Sequence, residues 1–257
     1  MLSPFKPRAP TMSEQTTGND GDFSVQFPDI ERALLEPNGL LASGGELSPD
    51  WLVSAYRQGI FPWYNPGEPI LWWSPDPRYG FAPDFVRLGK SRSRHLRKSG
   101  WLLKADTCFE DVIRNCAVSP RKHQHGTWID QKMIDAYCQM HRLGIGHSIE
   151  VFDGNRLVGG LYGLAIGRIF FAESMFSLES GASSLALKAL ARLLESWRWP
   201  WIDAQMENPH LALLGGQAIS RKEYLALIRD ETAKTGMPGS WQGQMGNIAL
   251  ADCLRQP

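Results

Sequence analysis

The stretch HSIEVFDGNRLVGGLYGLAIGRIFFAESMF, residues 147–176, constrains the fold more than any other. β-Branched and aromatic residues crowd it, and turn residues cut it at Asp153-Gly154 and again near Gly167. The pattern predicts three consecutive strands joined by short turns, which places them side by side and antiparallel. An apolar sheet of this kind needs other layers against it.

The flanking sequence supplies them. One helix opens at Ser48 as N-cap with Pro49 in its first turn and ends near Gly59. TCFEDVIRNCAV reads as a helix with a capping box of Thr107 and Glu110, and TWIDQKMIDAYCQMHRLG as another that stops at Gly144. Beyond the strands come a helix in ASSLALKALARLLESW, a strand in WIDAQM, and a last helix with a Ser220–Glu223 capping box. The layout is α/β (α+β) around a central mixed sheet. Residues 26–79, dense in Gly and Pro and holding short strands around one helix, read as a small N-terminal domain, and 80–257 as the larger domain. Residues 1–25 are Pro-, Ser-, Thr- and Gly-rich without an apolar core segment, so they read as a disordered tail and not a signal peptide, with Met12 an alternative start.

No run of about 18 apolar residues exists, which argues against a membrane-spanning helix. Lysines and arginines number 27, as do aspartates and glutamates, so attraction to nucleic acid would have to come from local clustering. Cys108, Cys116, Cys138 and Cys253 lack metal-ligand spacing, and the first three sit in apparently helical segments. They read as reduced thiols of a cytoplasmic protein.

Several residues could carry chemistry. Glu173 sits among Ile169, Phe170, Phe171, Met175 and Phe176, where a carboxylate is costly unless paired. Either an arginine or backbone amides tie it down, or it faces a pocket and meets a substrate cation. In WIDAQ, strand geometry puts Asp203 and Gln205 on one face and Ile202 and Ala204 on the other. That is surface alternation, or a carboxylate and a carboxamide placed to hold an amine. Lys90, Arg92, Arg94, Arg97 and Lys98, with Arg121, Lys122, His123 and His125 further on, are solvated charge or a phosphate-binding patch. Trp63, Trp72 and Trp73 crowd a segment whose small core can hardly enclose them all, so some would line a pocket. SLESGASSLAL opens a helix with small residues, a weak phosphate-site signal. His147 and His210 carry no assigned role, and no Walker loop, GxSxG, HExxH or CxxC occurs.

Taken in order, EPNGLLASGGELSPDWLVSAYRQGIFPWY, ILWWSPDPR, GTWI, HSIEVF, LVGGLYG, FFAESMFS and WIDAQ resemble the signature blocks of bacterial leucyl/phenylalanyl-tRNA–protein transferases, from about Phe27 to Trp241. The resemblance implies a small N-terminal domain and a larger GNAT-like acyltransferase domain. It implies transfer of Leu, Phe or sometimes Met from aminoacyl-tRNA to a protein beginning with Arg or Lys, as a degradation signal in the bacterial cytoplasm. Neither metal nor organic cofactor is expected, and a monomer is the default.

Position by position, the family's catalytic groups fall on Asp203, Gln205 and Glu173, and its aminoacyl- and adenosine-contacting tryptophans on Trp63 and Trp128. Its pocket lining falls on Leu161, Phe170, Met175 and Leu190, and a position near the tRNA 3′ end on Ser183. The chain departs from the pattern at Ser184, where lysine is common, at Ala172 and Ala204, and at Leu161 and Leu190, which bear on donor preference. The alternatives are an acetyl-CoA-dependent N-acetyltransferase, whose pyrophosphate loop SLESGASS lacks, a sister transferase acting on N-terminal Asp or Glu, and a non-catalytic tRNA-binding module.

Overall fold

The computed structural model describes residues 25–119, 128–247 and 250–254. The expected tail up to residue 24 and the basic stretch Arg121–His125 lie outside the described residues. In chain order the elements are β1 (Leu40–Ser43), α1 (Pro49–Arg57), β2 (Phe61–Pro62), β3 (Leu71–Trp73), β4 (Arg78–Phe81), α2 (Lys90–Arg97), β5 (Leu102–Ala105), α3 (Phe109–Val118) and α4 (Gln131–Arg142). The chain continues with β6 (Gly146–Asp153), β7 (Arg156–Ile166), β8 (Ile169–Ser177), α5 (Ala182–Ser196), β9 (Trp201–Asp203), α6 (Pro209–Leu213), β10 (Gln217–Ile219), α7 (Arg221–Thr232) and α8 (Leu250–Cys253).

The predicted three-strand run is β6, β7 and β8, paired antiparallel in succession. Gly154 (φ 59°) and Gly167 (φ 58°) take the left-handed turn conformations that a side chain disfavours. These strands sit within a mixed seven-stranded sheet ordered β10-β4-β9-β8-β7-β6-β5, in which β8 and β9 run parallel. A separate three-stranded sheet, β1-β3-β2, lies in the N-terminal part.

Side-chain alternation along the strands divides the core into two apolar clusters. Phe171, Tyr162 and Leu164 face one, with Tyr56 of α1, Val112 of α3 and Tyr137 of α4. Phe170, Leu161 and Ile149 face the other, with Leu185 and Leu190 of α5. Helix α5 is buried on nearly every side, as its apolar sequence requires. It rests so closely on β7 that a Cβ at Gly159 would stand 2.4 Å from Ala182 Cβ.

The Ser48 and Ser220–Glu223 starts and the stop at Gly144 are as the sequence predicts. Two local readings need correction. Cys108, not Thr107, is the N-cap of α3, because the Thr107 hydroxyl and N–H both donate to the buried Glu150 on the neighbouring strand. The basic stretch from Lys90, given no element from sequence, forms a helix, α2. The strand in WIDAQM ends at Asp203, and Gln205 turns into the left-handed region at φ 59°. Trp72 is enclosed completely, while Trp63 and Trp73 are half-buried. Among the described residues no helix is long and apolar enough to cross a membrane.

Candidate active site

β8 and β9 pair only as far as Phe171 and Asp203. Beyond that point β9 ends, and the two chains part. On its other side β8 pairs with β7, but Tyr162 faces Ser174 while Gly163 faces Ala172. Glu173 is therefore the extra residue of a β-bulge, a device that re-aims a side chain. Phe171 before the bulge and Phe176 after it both reach the cluster containing Tyr56. Glu173 thus stands at the opening between β8 and β9, turned toward helices α1 and α4.

The Tyr56 hydroxyl donates to Glu173 Oε1 at 2.6 Å, and the Tyr137 hydroxyl reaches Oε2 at 3.0 Å. The two hydroxyls are themselves 2.6 Å apart. The residue is half-buried, but its carboxyl group is closely enclosed. Burial is the main cause that raises its pKa to about 7, against the hydrogen bonds from Tyr56 and Tyr137 that lower it. Asp203 adds to the rise and Arg78 opposes it. Burial first, and then Glu173, pushes both phenols well above their usual range, so each keeps its proton.

Asp203 is fully buried and fully engaged. Arg78 meets it through Nε to Oδ1 at 2.9 Å and Nη2 to Oδ2 at 2.6 Å, a two-pronged pair. Tyr224 of α7 donates to Oδ2 at 3.0 Å. The Arg78 guanidinium also donates to the Gly59 carbonyl and lies between the rings of Phe61 and Tyr224, 4.8 and 4.6 Å from their centroids. Burial alone would lower the Arg78 pKa, but Asp203 raises it on balance, so the cation persists.

Gln205 links the two carboxyl groups. Its main-chain N–H donates to Asp203 Oδ1 at 3.1 Å, and its Nε2 lies 3.4 Å from Glu173 Oε1. A left-handed φ on a residue with a long side chain carries strain, which is common where function fixes a conformation. Strand alternation does not bring these groups together. A turn does, with its N–H tied to the buried aspartate.

The remaining predicted residues fall into three places. Trp63 and Trp128 are half-buried against the cluster that holds Tyr56 and Tyr137. Tyr64 donates to Asp130 at 3.2 Å, tying the loop of Trp63 to the start of α4, just beyond Trp128. Leu161, Phe170 and Leu190 are buried together in the opposite cluster, and Met175 is half-buried at its margin. Ser183 receives a hydrogen bond from Ser177 Oγ at 2.8 Å at the start of α5.

Of the basic residues on α2, Arg92 donates to Ser184 Oγ at 3.1 Å, and Arg97 to the Leu254 carbonyl at 2.9 Å. Lys90, Arg94 and Lys98 are exposed. His147, given no role from sequence, stacks on Trp241 with centroids 3.8 Å apart and binds Asp106 through Nδ1 at 2.9 Å. Sequence reasoning missed Arg78, Tyr224, Tyr56 and Tyr137. Arg78 had a signal, since it ends the WWSPDPR block and begins an otherwise apolar strand, but the tyrosines looked like core. Among the described residues no cluster of three or more His, Cys, Asp or Glu is placed to hold a metal.

The sequence comparisons agree on one family. The profile of Leucyl/phenylalanyl-tRNA protein transferase matches residues 81–229, and that of the same family's N-terminal domain matches 45–76. A Leucyl/phenylalanyl-tRNA--protein transferase of Xanthomonas euvesicatoria is 57% identical over 228 residues, which are 89% of this chain and 91% of that one. The Xylella fastidiosa protein of that name is 51% identical over 223 residues, 87% of this chain and 92% of its own. A GCN5-related N-acetyltransferase-like protein from Streptococcus suis covers 66% of this chain and 64% of its own at 14% identity and a TM-score of 0.30, too slight a likeness to argue from. The chain belongs to the leucyl/phenylalanyl-tRNA protein transferase family.

Proposed function

We propose that the protein takes Leu, Phe or Met from aminoacyl-tRNA and joins it to proteins that begin with Arg or Lys, marking them for degradation in the cytoplasm. That it is an enzyme, an aminoacyltransferase, follows from its family. The observation that carries the site assignment is the hydrogen-bonded group of Glu173, Gln205 and Asp203 where β8 and β9 separate.

The reaction is aminolysis of an activated ester. The acceptor's neutral α-amine attacks the aminoacyl carbonyl carbon; the C–N bond forms, the bond to the ribose oxygen breaks, and the amine's proton passes, directly or through solvent, to that oxygen, which leaves as a hydroxyl. Holding the two partners in reacting geometry supplies most of the acceleration. A carboxamide is too weak a base to take the proton, so Gln205 orients the amine by accepting one of its N–H bonds. Glu173 meets the cationic side chain of the acceptor. Asp203 and Arg78 hold the turn that presents Gln205.

We assign the donor side chain to the apolar group of Leu161, Phe170, Met175 and Leu190, of which Met175 alone is half-buried. Trp63 and Trp128 are assigned to the aminoacyl and adenosine ends. The phosphates near the 3′ end fall to Ser183 and to the basic residues of α2. Arg92 reaches Ser184 from α2 and so brings a positive charge to the position where lysine is common in the family.

The test is transfer of labelled Leu or Phe from charged tRNA to an Arg-initiated peptide. Incorporation should be lost with ribonuclease, and reduced in Gln205→Ala and Glu173→Gln. Equal incorporation by those two variants would remove the site assignment.

A further inference from the structure

Three oxygen pairs within the site lie at hydrogen-bond distance: Tyr56 with Tyr137 at 2.6 Å, Tyr56 with Glu173 Oε1 at 2.6 Å, and Tyr137 with Glu173 Oε2 at 3.0 Å. Oxygens this close are in hydrogen-bond contact, so a proton is needed in each pair. Three contacts need three protons, and two phenols supply two. The third has one source within the triangle, the carboxyl group of Glu173. With that proton in place each phenol donates once and accepts once, the carboxyl group donates through Oε2 and accepts at Oε1, and the ring closes on itself.

We propose that the empty site stores a proton on Glu173 in a closed ring with Tyr137 and Tyr56, and that the cationic side chain of the acceptor expels it on binding. This rests on the assignment of Glu173 as the partner of that cation. The exchange balances: carboxylic acid plus incoming cation gives a carboxylate–cation pair and one proton, which passes to solvent. Afterwards both phenols donate to the carboxylate, and the contact between their oxygens must lengthen.

The surroundings support the neutral acid. Tyr56 packs on Phe171 with centroids 5.0 Å apart, and Tyr137 on Tyr162 at 5.6 Å. The charged groups that act on the carboxyl are Asp203 of β9, which disfavours ionisation, and Arg78 of β4, which is already paired with Asp203. Gln205 offers one neutral donor at 3.4 Å. Burial raises the Glu173 pKa to about 7, so the acid form is present near neutral pH. With Asp203 paired to Arg78 and Glu173 neutral, the site avoids the cost of an uncompensated buried carboxylate while it waits for an acceptor. It also lets only a cation call that charge out, which favours Arg or Lys over a neutral first residue.

Calorimetry tests this with the full chain and an Arg-initiated peptide, without tRNA so that no transfer occurs. Titrations in two buffers of different ionisation enthalpy count the protons released. About nine-tenths of a proton per peptide is expected at about pH 6, about half near pH 7 and almost none at about pH 9, with the peptide Kd rising about tenfold per pH unit below about 7. In Glu173→Gln the release should vanish. Binding without release at about pH 6, or release that persists in Glu173→Gln and so comes from the peptide's own α-amine, overturns the proposal. A peptide that binds at no pH removes the acceptor assignment and the exchange with it. The ring is then decided by infrared spectra of the free protein: a protonated-carboxyl band at about pH 6 that Glu173→Gln lacks supports it, and a fully ionised carboxyl overturns it.

Discussion

Replacing Glu173 with Gln should make the protein more stable at alkaline pH, in proportion to the burial of the charge it removes. The carboxyl pKa rises from 4.5 to about 7 on folding, with burial the largest cause. Between those values the folded chain binds more protons than the unfolded one, so the wild-type protein loses stability as pH rises through that window. Integration of the two titration curves gives a loss of about 0.8 kcal/mol at about pH 5 and about 3.3 kcal/mol at about pH 8, a difference of about 2.5 kcal/mol. Gln has nearly the same shape and can both donate to and accept from the two tyrosines, but it has no charge to bury. Urea unfolding of both proteins at the two pH values isolates the effect, because titrations elsewhere are shared and cancel. The stability gap between variant and wild type should widen by about 2.5 kcal/mol from about pH 5 to about pH 8. A gap that stays constant within about 0.5 kcal/mol would mean that Glu173 is well solvated, and the argument from burial would fail.

Arg78→Met leaves Asp203 charged and unpaired in the core, so it should cost about 3–5 kcal/mol in denaturant unfolding; a loss under about 1 kcal/mol would show the pair to be dispensable. Gln205 sits in the left-handed region, so Gln205→Gly should be about 1 kcal/mol more stable than Gln205→Ala, while both lose transfer activity; equal stability would deny the strain. Neutralising Arg92, Arg94 and Arg97 together should raise the apparent KM for tRNA and reduce its slope against log salt by about two to three, and an unchanged slope would move the phosphates elsewhere.

The sheet was legible because its evidence is local. Val, Ile and aromatic runs broken at Gly154 and Gly167 have one economical reading, and β6 to β8 follow it. Helix α2 was not legible, since lysines and arginines say little about conformation without an apolar stripe, and its buried positions reduce to Ser93 and Leu96. The capping box at Thr107 failed for a non-local reason: Glu150, 43 residues away, competes for the same hydroxyl and wins by being buried. The site shows the same division. Glu173 was conspicuous as a charge in an apolar strand, but the bulge that aims it depends on β7, and the phenols that receive it come from positions 117 and 36 residues earlier. Tyr56 and Tyr137 are buried among apolar neighbours, so nothing in the sequence separates their hydroxyl role from ordinary packing.

The structure also narrows what Asp203 can do. Its Oδ1 accepts from Arg78 Nε and the Gln205 N–H, and its Oδ2 from Arg78 Nη2 and Tyr224. Two donors on each oxygen fill the directions from which a proton would arrive. Engaged in this way, Asp203 has no free position to offer an incoming amine; it acts through Gln205 by fixing the turn. The amine must then enter the reaction already neutral, as about a tenth of an α-amine is at neutral pH. Asp203→Asn should therefore lower kcat by displacing Gln205, yet keep an acidic limb in the pH–rate profile, because the amine and Glu173 that set it still titrate. The part due to Glu173 should move to lower pH, since the Asp203 charge that raises its pKa is gone. If Asp203 were the base, its replacement would abolish that limb. A limb that disappears in Asp203→Asn, measured at a temperature where the variant is folded, would return the proton to Asp203.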